Sequence, residues 1–381
     1  MVLHPGVPSA GRQVRRWGAG LVLALGLVSC SGDDSAVTAP DGTAAGGQAD
    51  RPGVVATTGV ICDLTQQIAE TTVALTCLLS PGTDPHTYQV QPSDRQAIEQ
   101  ADLILYDGYG LVPSLIGMIE DSSTGAVRVA VYEKAVPEPL MGAAHHHDHG
   151  AEATHGGEHA HEEEHAHEGE HAHGDERAHE GEPGGEQGAT AGAELVPDPH
   201  IWHSAANNGA IAQVIAESLA QVNPDQADRY AENAARLVTQ FDQIDDWIQT
   251  QVATVPPAQR RLVTTHDAFG YFADAYGFEV AGALSGLSTE EKPTPGTLTA
   301  LVDQVKAAQV PAIFAETTTN PQLIEAVAKD AGVAVAAQPL WVEGPGGPGT
   351  DAETMQAMLV TNTCIVVDAL GGKCVRDSAP L

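Results

Sequence analysis

The chain has 381 residues, enough for two ordinary domains, and its 51 acidic and 17 basic residues give a formal net charge of −34 at pH 7. Such a surface repels nucleic acid and anionic membrane and attracts cations, which excludes a nucleic-acid partner. Between His145 and Glu186, thirteen acidic residues face only Arg177, so that stretch is read separately from the folded parts.

The N-terminus has the order of a targeting segment. Arg12, Arg15 and Arg16 precede the apolar run GAGLVLALGLVS at 18–29, which is too short to span a bilayer well. The run closes on Leu27-Val28-Ser29-Cys30, which resembles the bacterial lipobox, where cleavage precedes a lipidated cysteine. The alternative is an ordinary signal peptide with an incidental cysteine. Residues 1–29 are thus expected to be a lipoprotein signal peptide, with Cys30 lipidated and 30–52 a polar, Gly/Ala-rich tether. The body would stand outside the cytoplasmic membrane, held by its lipid anchor only.

Four cysteines remain: Cys62, Cys77, Cys364 and Cys374. An even number in an exported chain suggests two disulfides, and pairing neighbours in sequence is the simplest of three connectivities. Four buried thiols are the alternative.

From residue 53 onward, β-like and helix-like segments alternate. VVATTGVI (54–61), VALTCLLS (73–80), DLILYDG (102–108) and VRVAVY (127–132) read as strands, with a helix over PSDRQAIEQA between the second and third. This βαβ punctuation predicts a parallel sheet covered by helices. The stretch 142–192 has almost no large apolar residues, cannot bury a core, and is expected to be a mobile loop. SAANNGAIAQVIAESLAQV then reads as an amphipathic helix, stopped at Asn223-Pro224-Asp225. Tyr230, Ala234, Leu237, Phe241, Ile244 and Ile248 recur at spacings of four and three, one apolar stripe on a long helix ended by Pro256-Pro257. Strands follow over 261–266, 278–283, 310–316 and 333–340, with helices over TPGTLTALVDQVKAAQ and NPQLIEAVAKDAG. The expected organisation is an α/β lobe at 53–222, a linker helix at 223–257 and a second α/β lobe at 258–381. Any ligand site would lie in the cleft between the lobes.

Two stretches compete as metal sites. The pattern H-E-x-x-H occurs twice in the acidic tract, at His161-Glu162 with His165 and at His167-Glu168 with His171. A zinc hydrolase needs that motif on a docked helix with a rigid third ligand, and Ala, Gly, Glu and His supply no face to dock. The twelve histidines from His145 to His179 can still capture metal weakly, at the entropic cost of ordering the loop. The second constellation lies outside the tract. Asp84-Pro85-His86 and Asp198-Pro199-His200 repeat one tripeptide, Thr264-Thr265-His266-Asp267 ends one strand, and Trp341-Val342-Glu343 follows the last. His86, His266 and Glu343 come directly after strand ends, where open α/β sheets bind ligands. With His200 they make an N₃O set that suits zinc. Glu316 and Asp267 are expected behind the ligands, as carboxylates that orient an imidazole. His203, one turn past His200, is an alternative ligand, and Lys373 lacks a phosphate-loop context.

DPHTYQ, DPHIW, THDAFGYFADAYG and IFAETTTNP, with the order lobe, long helix, lobe, resemble the metal-binding solute receptors of bacterial ABC importers. The histidine-rich insertion before the second ligand is similar to the zinc branch. The resemblance covers roughly 53–381 and implies a metal buried between two lobes, with His86, His200 and His266 as the first three ligands. Manganese and iron receptors of this kind tend to carry a carboxylate at the third place, so His266 favours zinc. Glu343 stands roughly where many relatives carry an aspartate; water or Glu316 is the substitute for it. The resemblance thus implies a monomeric, non-enzymatic Zn2+ receptor that serves an ABC importer permease. The alternatives are a manganese or iron receptor of the same fold, a zinc-dependent hydrolase, and an extracellular metal buffer or adhesin.

Overall fold

After Arg51 the chain enters β1 (Gly53–Ala56), where Val54, Val55 and Ala56 are buried. Thr58 caps α1 (Gly59–Ala69) by accepting from the Ile61 N–H, and Val60, Ile61, Leu64 and Ile68 form its inner face. The expected strand over 54–61 is therefore cut short by this cap. The computed structural model describes residues 51–144, 194–290 and 292–381, so the signal peptide, Cys30, the tether and most of the histidine-rich stretch lie outside the described residues.

β2 (Ala74–Cys77), α2 (Pro92–Gln100), β3 (Leu103–Tyr106), α3 (Pro113–Asp121), β4 (Val127–Ala130) and α4 (Val131–Ala135) follow. The four strands pair in parallel in the order β2-β1-β3-β4. The order reverses between β1 and β3, and the carboxyl ends there open a crevice in folds of this class.

β5 (Met141–Ala144) and β6 (Glu194–Pro197) pair antiparallel, Ala144 opposite Glu194, and bring the two ends of the insertion together. The expected loop began at Gly142, yet residues 142–144 belong to this ladder; the polar tract starts only after Ala144. α5 (Ala205–Val222) and α6 (Ala227–Val252) then pack on each other. α6 buries Tyr230, Ala234, Leu237, Phe241, Ile244 and Ile248, the stripe read from sequence. Short 3-10 turns at Pro224–Gln226 and Pro257–Gln259 bound it, each with proline at its start.

The second set comprises β7 (Arg261–His266), α7 (Gly270–Tyr276), β8 (Glu279–Ser285), α8 (Pro295–Ala308), β9 (Ala312–Ile313), α9 (Gln322–Ala331) and β10 (Ala334–Val335). β7 pairs in parallel with β8, and β9 with β10. The Phe314 N–H donates to the Val263 carbonyl at 2.9 Å and lays β9 beside β7. The resulting order, β8-β7-β9-β10, repeats that of the first sheet and again reverses beside its first strand. The expected long strands at 310–316 and 333–340 are only two residues each, with an isolated parallel bridge from Glu316 to Leu340. Pro339 has no N–H to give, so the ladder cannot run on without a break.

α10 (Met355–Ala369) closes the chain's regular structure and packs against α6 and α1. Its residues join a large core with β1, β3, α5 and α6, whereas a smaller core gathers Val263, Leu284, Leu301, Val305, Ile313, Ile324 and Val327. The Asp63 carboxylate accepts from the Met355 N–H, so α1 caps the start of α10. Disulfides join Cys62 to Cys77, tying α1 to β2, and Cys364 to Cys374, tying α10 to the segment after it. No helix among the described residues is long and apolar enough to cross a membrane.

Candidate metal centre

Each Asp-Pro-His builds the same turn. The Asp84 carboxylate accepts from the His86 N–H at 3.0 Å, and the Asp198 carboxylate from the His200 N–H at 2.9 Å. An aspartate bonding the backbone two residues on is an Asx turn, and the proline between fixes φ. His200 is then followed by a 3-10 turn, Ile201–His203, that leads to α5. His266 is the last residue of β7, at the reversal point of the second sheet. Glu343 follows the Glu316–Leu340 bridge by three residues.

These four residues converge. One donor atom from each of His86, His200, His266 and Glu343 lies within 4.8 Å of the others. The Nε2 atoms of His86 and His200 are 3.2 Å apart, and Oε1 of Glu343 is 3.4 Å from Nε2 of His266 and 3.8 Å from Nε2 of His86. Tetrahedral bonds of about 2.0–2.1 Å to zinc place donors roughly 3.3 Å apart. All three imidazoles are buried, and Nε2 of His266 and both carboxylate oxygens of Glu343 have no hydrogen-bond partner among the described residues. Buried polar atoms left unpaired are costly, and a cation between them would meet every one of these lone pairs.

Two of the three imidazoles have their outward nitrogen held by a carboxylate. Nδ1 of His200 donates to Asp198 at 2.8 Å, and Nδ1 of His266 to Glu316 at 2.6 Å. A carboxylate acceptor at Nδ1 leaves the Nε2 lone pair facing inward. The other oxygen of Glu316 accepts from the Thr265 and His266 N–H groups, so its carboxylate is fixed at both ends. Sequence reasoning placed Glu316 behind the ligands but missed Asp198. The repeated tripeptide carries the signal for it: an aspartate two residues before the ligand accepts that ligand's backbone N–H. Asp267 donates its backbone N–H to the Gly286 carbonyl, and its side chain lines a groove with Ser285 and Lys292.

Charge follows from burial. His86 and His200 are held well below the ordinary imidazole range by desolvation first, then by the neighbouring imidazoles. Burial lowers His266 too, but Glu316 and Glu343 outweigh it and raise that group to about 9. Burial raises Glu343 to about 8 against the opposing pull of His266, and raises Asp198 to about 7. Without an ion the cluster therefore keeps protons on His266 and Glu343, while His86 and His200 stay neutral. His203 is buried one turn away, its ring 4.3 Å from Phe269; it stands outside the four-donor group. The described residues hold no other such group of donors.

Comparison with known proteins agrees with this architecture. Residues 54–369 match the family described as "Zinc-uptake complex component A periplasmic". The chain is 36% identical to the high-affinity zinc uptake system protein ZnuA of Paracoccus denitrificans over 314 residues, 82% of this chain and 90% of that protein. It is 28% identical to the manganese-binding lipoprotein MntA of Halalkalibacterium halodurans over 352 residues, 92% of this chain and 96% of the relative. Among solved structures, the periplasmic zinc-binding protein TroA of Treponema pallidum superposes with a TM-score of 0.67 at 26% identity, covering 84% of this chain and 99% of that one. With more than half its length matched and its α/β fold shared, the chain belongs to the zinc-uptake component A family, a family of solute-binding receptors for metal uptake and not of enzymes.

Proposed function

We propose that this protein is the extracytoplasmic Zn2+ receptor of an ABC importer, with His86, His200, His266 and Glu343 as the ligands. The observation that carries the reading is the convergence of three imidazole nitrogens and one carboxylate oxygen within 4.8 Å of one another, buried and with no hydrogen-bond partner among the described residues for His266 Nε2 or the Glu343 carboxylate. Manganese prefers carboxylate, carbonyl and water oxygens in higher coordination, and a nitrogen-rich, four-donor set suits it less well. The manganese-named relatives give the competing reading its substance, a manganese receptor of the same fold. Cys30 would anchor the protein to the membrane by a lipid, and the permease would take the ion from the cleft. The histidine-rich insertion would be an accessory that captures metal weakly.

Chelator-competition titration of the dialysed protein with Zn2+ and Mn2+ tests this reading. One tight equivalent of zinc, bound far more strongly than manganese, is the expected result. A preference for manganese would overturn the zinc assignment and leave the receptor reading standing.

A further inference from the structure

Outside the four donors, one buried side chain touches both sides of the site. Trp202 lies two residues past His200 in the 3-10 turn and is 1% exposed. Its ring meets the His200 imidazole edge-on at 5.3 Å. Its indole Nε1–H donates to the carbonyl of Val342, 140 residues away in sequence, at 2.9 Å. Nε1–H is the only hydrogen-bonding group an indole has, and here it goes to the residue immediately before Glu343.

The surroundings of Glu343 show why this bond matters. His200 and His266 each have a carboxylate behind the ring that sets its orientation. Glu343 has none: neither carboxylate oxygen finds a hydrogen-bond partner among the described residues. Its position is set through its own backbone. That backbone is pinned at Trp341, whose N–H and carbonyl both bond the Asn362 amide at 2.9 and 2.6 Å. It is pinned again at the Val342 carbonyl by Trp202. Beyond Glu343 comes Gly344 at φ 125°, a conformation side chains disfavour, backed against Val60. The residue that carries the carboxylate is thus held on one side by an indole rooted beside His200.

We infer that Trp202 is a positioning residue for metal binding: its N–H fixes the Val342–Glu343 backbone relative to His200, and so places the fourth ligand. This rests on the reading of Glu343 as a ligand. Groups that orient a ligand are typically worth about 10–100-fold in metal affinity. Trp202→Phe keeps an aromatic ring against His200 and Tyr132 and removes only the donor and part of the ring.

The test is a chelator-competition titration with Zn2+ on the wild type, Trp202→Phe, Glu343→Gln and the double variant. The expected result is a loss of about 10-fold or more for Trp202→Phe alone, and no further loss when it is added to Glu343→Gln. General damage to the fold would instead weaken binding in both backgrounds alike, so multiplicative losses overturn the inference. An unchanged affinity for Trp202→Phe beside a weakened Glu343→Gln overturns it while the ligand reading stands. If Glu343→Gln itself binds zinc as the wild type does, Glu343 is no ligand and both fall together.

Discussion

His200 is wholly buried, and its ring is held between Asp198 and the inward-facing donor cluster. His200→Ala is expected to abolish tight zinc binding while the protein remains folded, because the four-donor set loses one imidazole whereas the neighbouring Trp202 stays in the large core. Calorimetry with zinc, alongside a circular-dichroism melt, checks both halves of that statement. Asp198→Asn is a subtler change. It keeps an acceptor for the backbone N–H but removes the charge that fixes the imidazole, so zinc affinity should fall about 10–100-fold without loss of stoichiometry. An affinity equal to wild type would show that the turn alone orients His200.

The same residues give binding a pH dependence with a definite sign. In the metal-free protein Glu343 is raised to about 8 and His266 to about 9, so both hold protons at pH 7. Zinc needs the carboxylate and the imidazole lone pair, and must displace those protons. Affinity should therefore fall as pH drops below about 9, more steeply below about 8, and binding at pH 7 should release protons to the buffer. Calorimetry in buffers of different ionisation enthalpy measures that release directly; heats independent of buffer would contradict it.

At the scale of elements, the β5–β6 pair separates the insertion from the site. Removing 145–193 leaves the ladder whole, and Ala144 opposite Glu194 can be closed by a short Asn-Gly turn. That variant should keep the tight zinc constant within about twofold and lose only weak binding at high metal concentration, since the cleft ligands hang from packed elements. Deleting 142–192 instead takes most of β5 and should weaken the tight site as well, because β6 leads through Asp198 into His200. Equal behaviour of the two deletions in a chelator competition would show that the ladder does not support the site.

Elements also differed in how far they could be read from sequence. β7 and α6 were plain, the first as a β-branched run and the second as an apolar stripe. α10 left no such trace, because Met358, Leu359, Val360, Thr361, Asn362 and Thr363 are buried in succession and a helix buried nearly all round has no periodicity. α1 was hidden inside an apparent strand until the Thr58 cap divided it. His86, His200, His266 and Glu343 could be found from the two Asp-Pro-His turns and the strand ends. Asp198 was legible in the same turns, since its partner His200 is two residues on; Trp202 was not, since its partner Val342 is 140 residues away.

At the scale of the whole molecule, two disulfides set the covalent framework. The Cys364–Cys374 bridge spans 10 residues of sequence, and closing a loop of that size restrains the unfolded chain by about 2.5–3 kcal/mol. Cys374→Ser together with Cys364→Ser should lower stability by roughly that amount in a denaturant melt. Zinc stoichiometry should not change, because neither cysteine lies among the donors. For the anchor, Cys30→Ala should leave the protein unlipidated, as precursor or as released protein; mass spectrometry of the wild-type N-terminus starting anywhere other than Cys30 would refute that assignment.

The return of α10 to the larger core leaves β8, β9, α8 and α9 with the smaller cluster. The two parts should therefore not open at the same free energy. Amide hydrogen exchange in the metal-free protein is expected to be fastest across β9, α8, α9 and β10, and slowest across β1, β3, α5 and α6. His266 issues from the seam between them, on β7, whose Leu262 belongs to the larger cluster and Val263 to the smaller. An ion held there would make opening of the smaller part cost the binding free energy as well, so zinc should slow exchange in helices that never touch it.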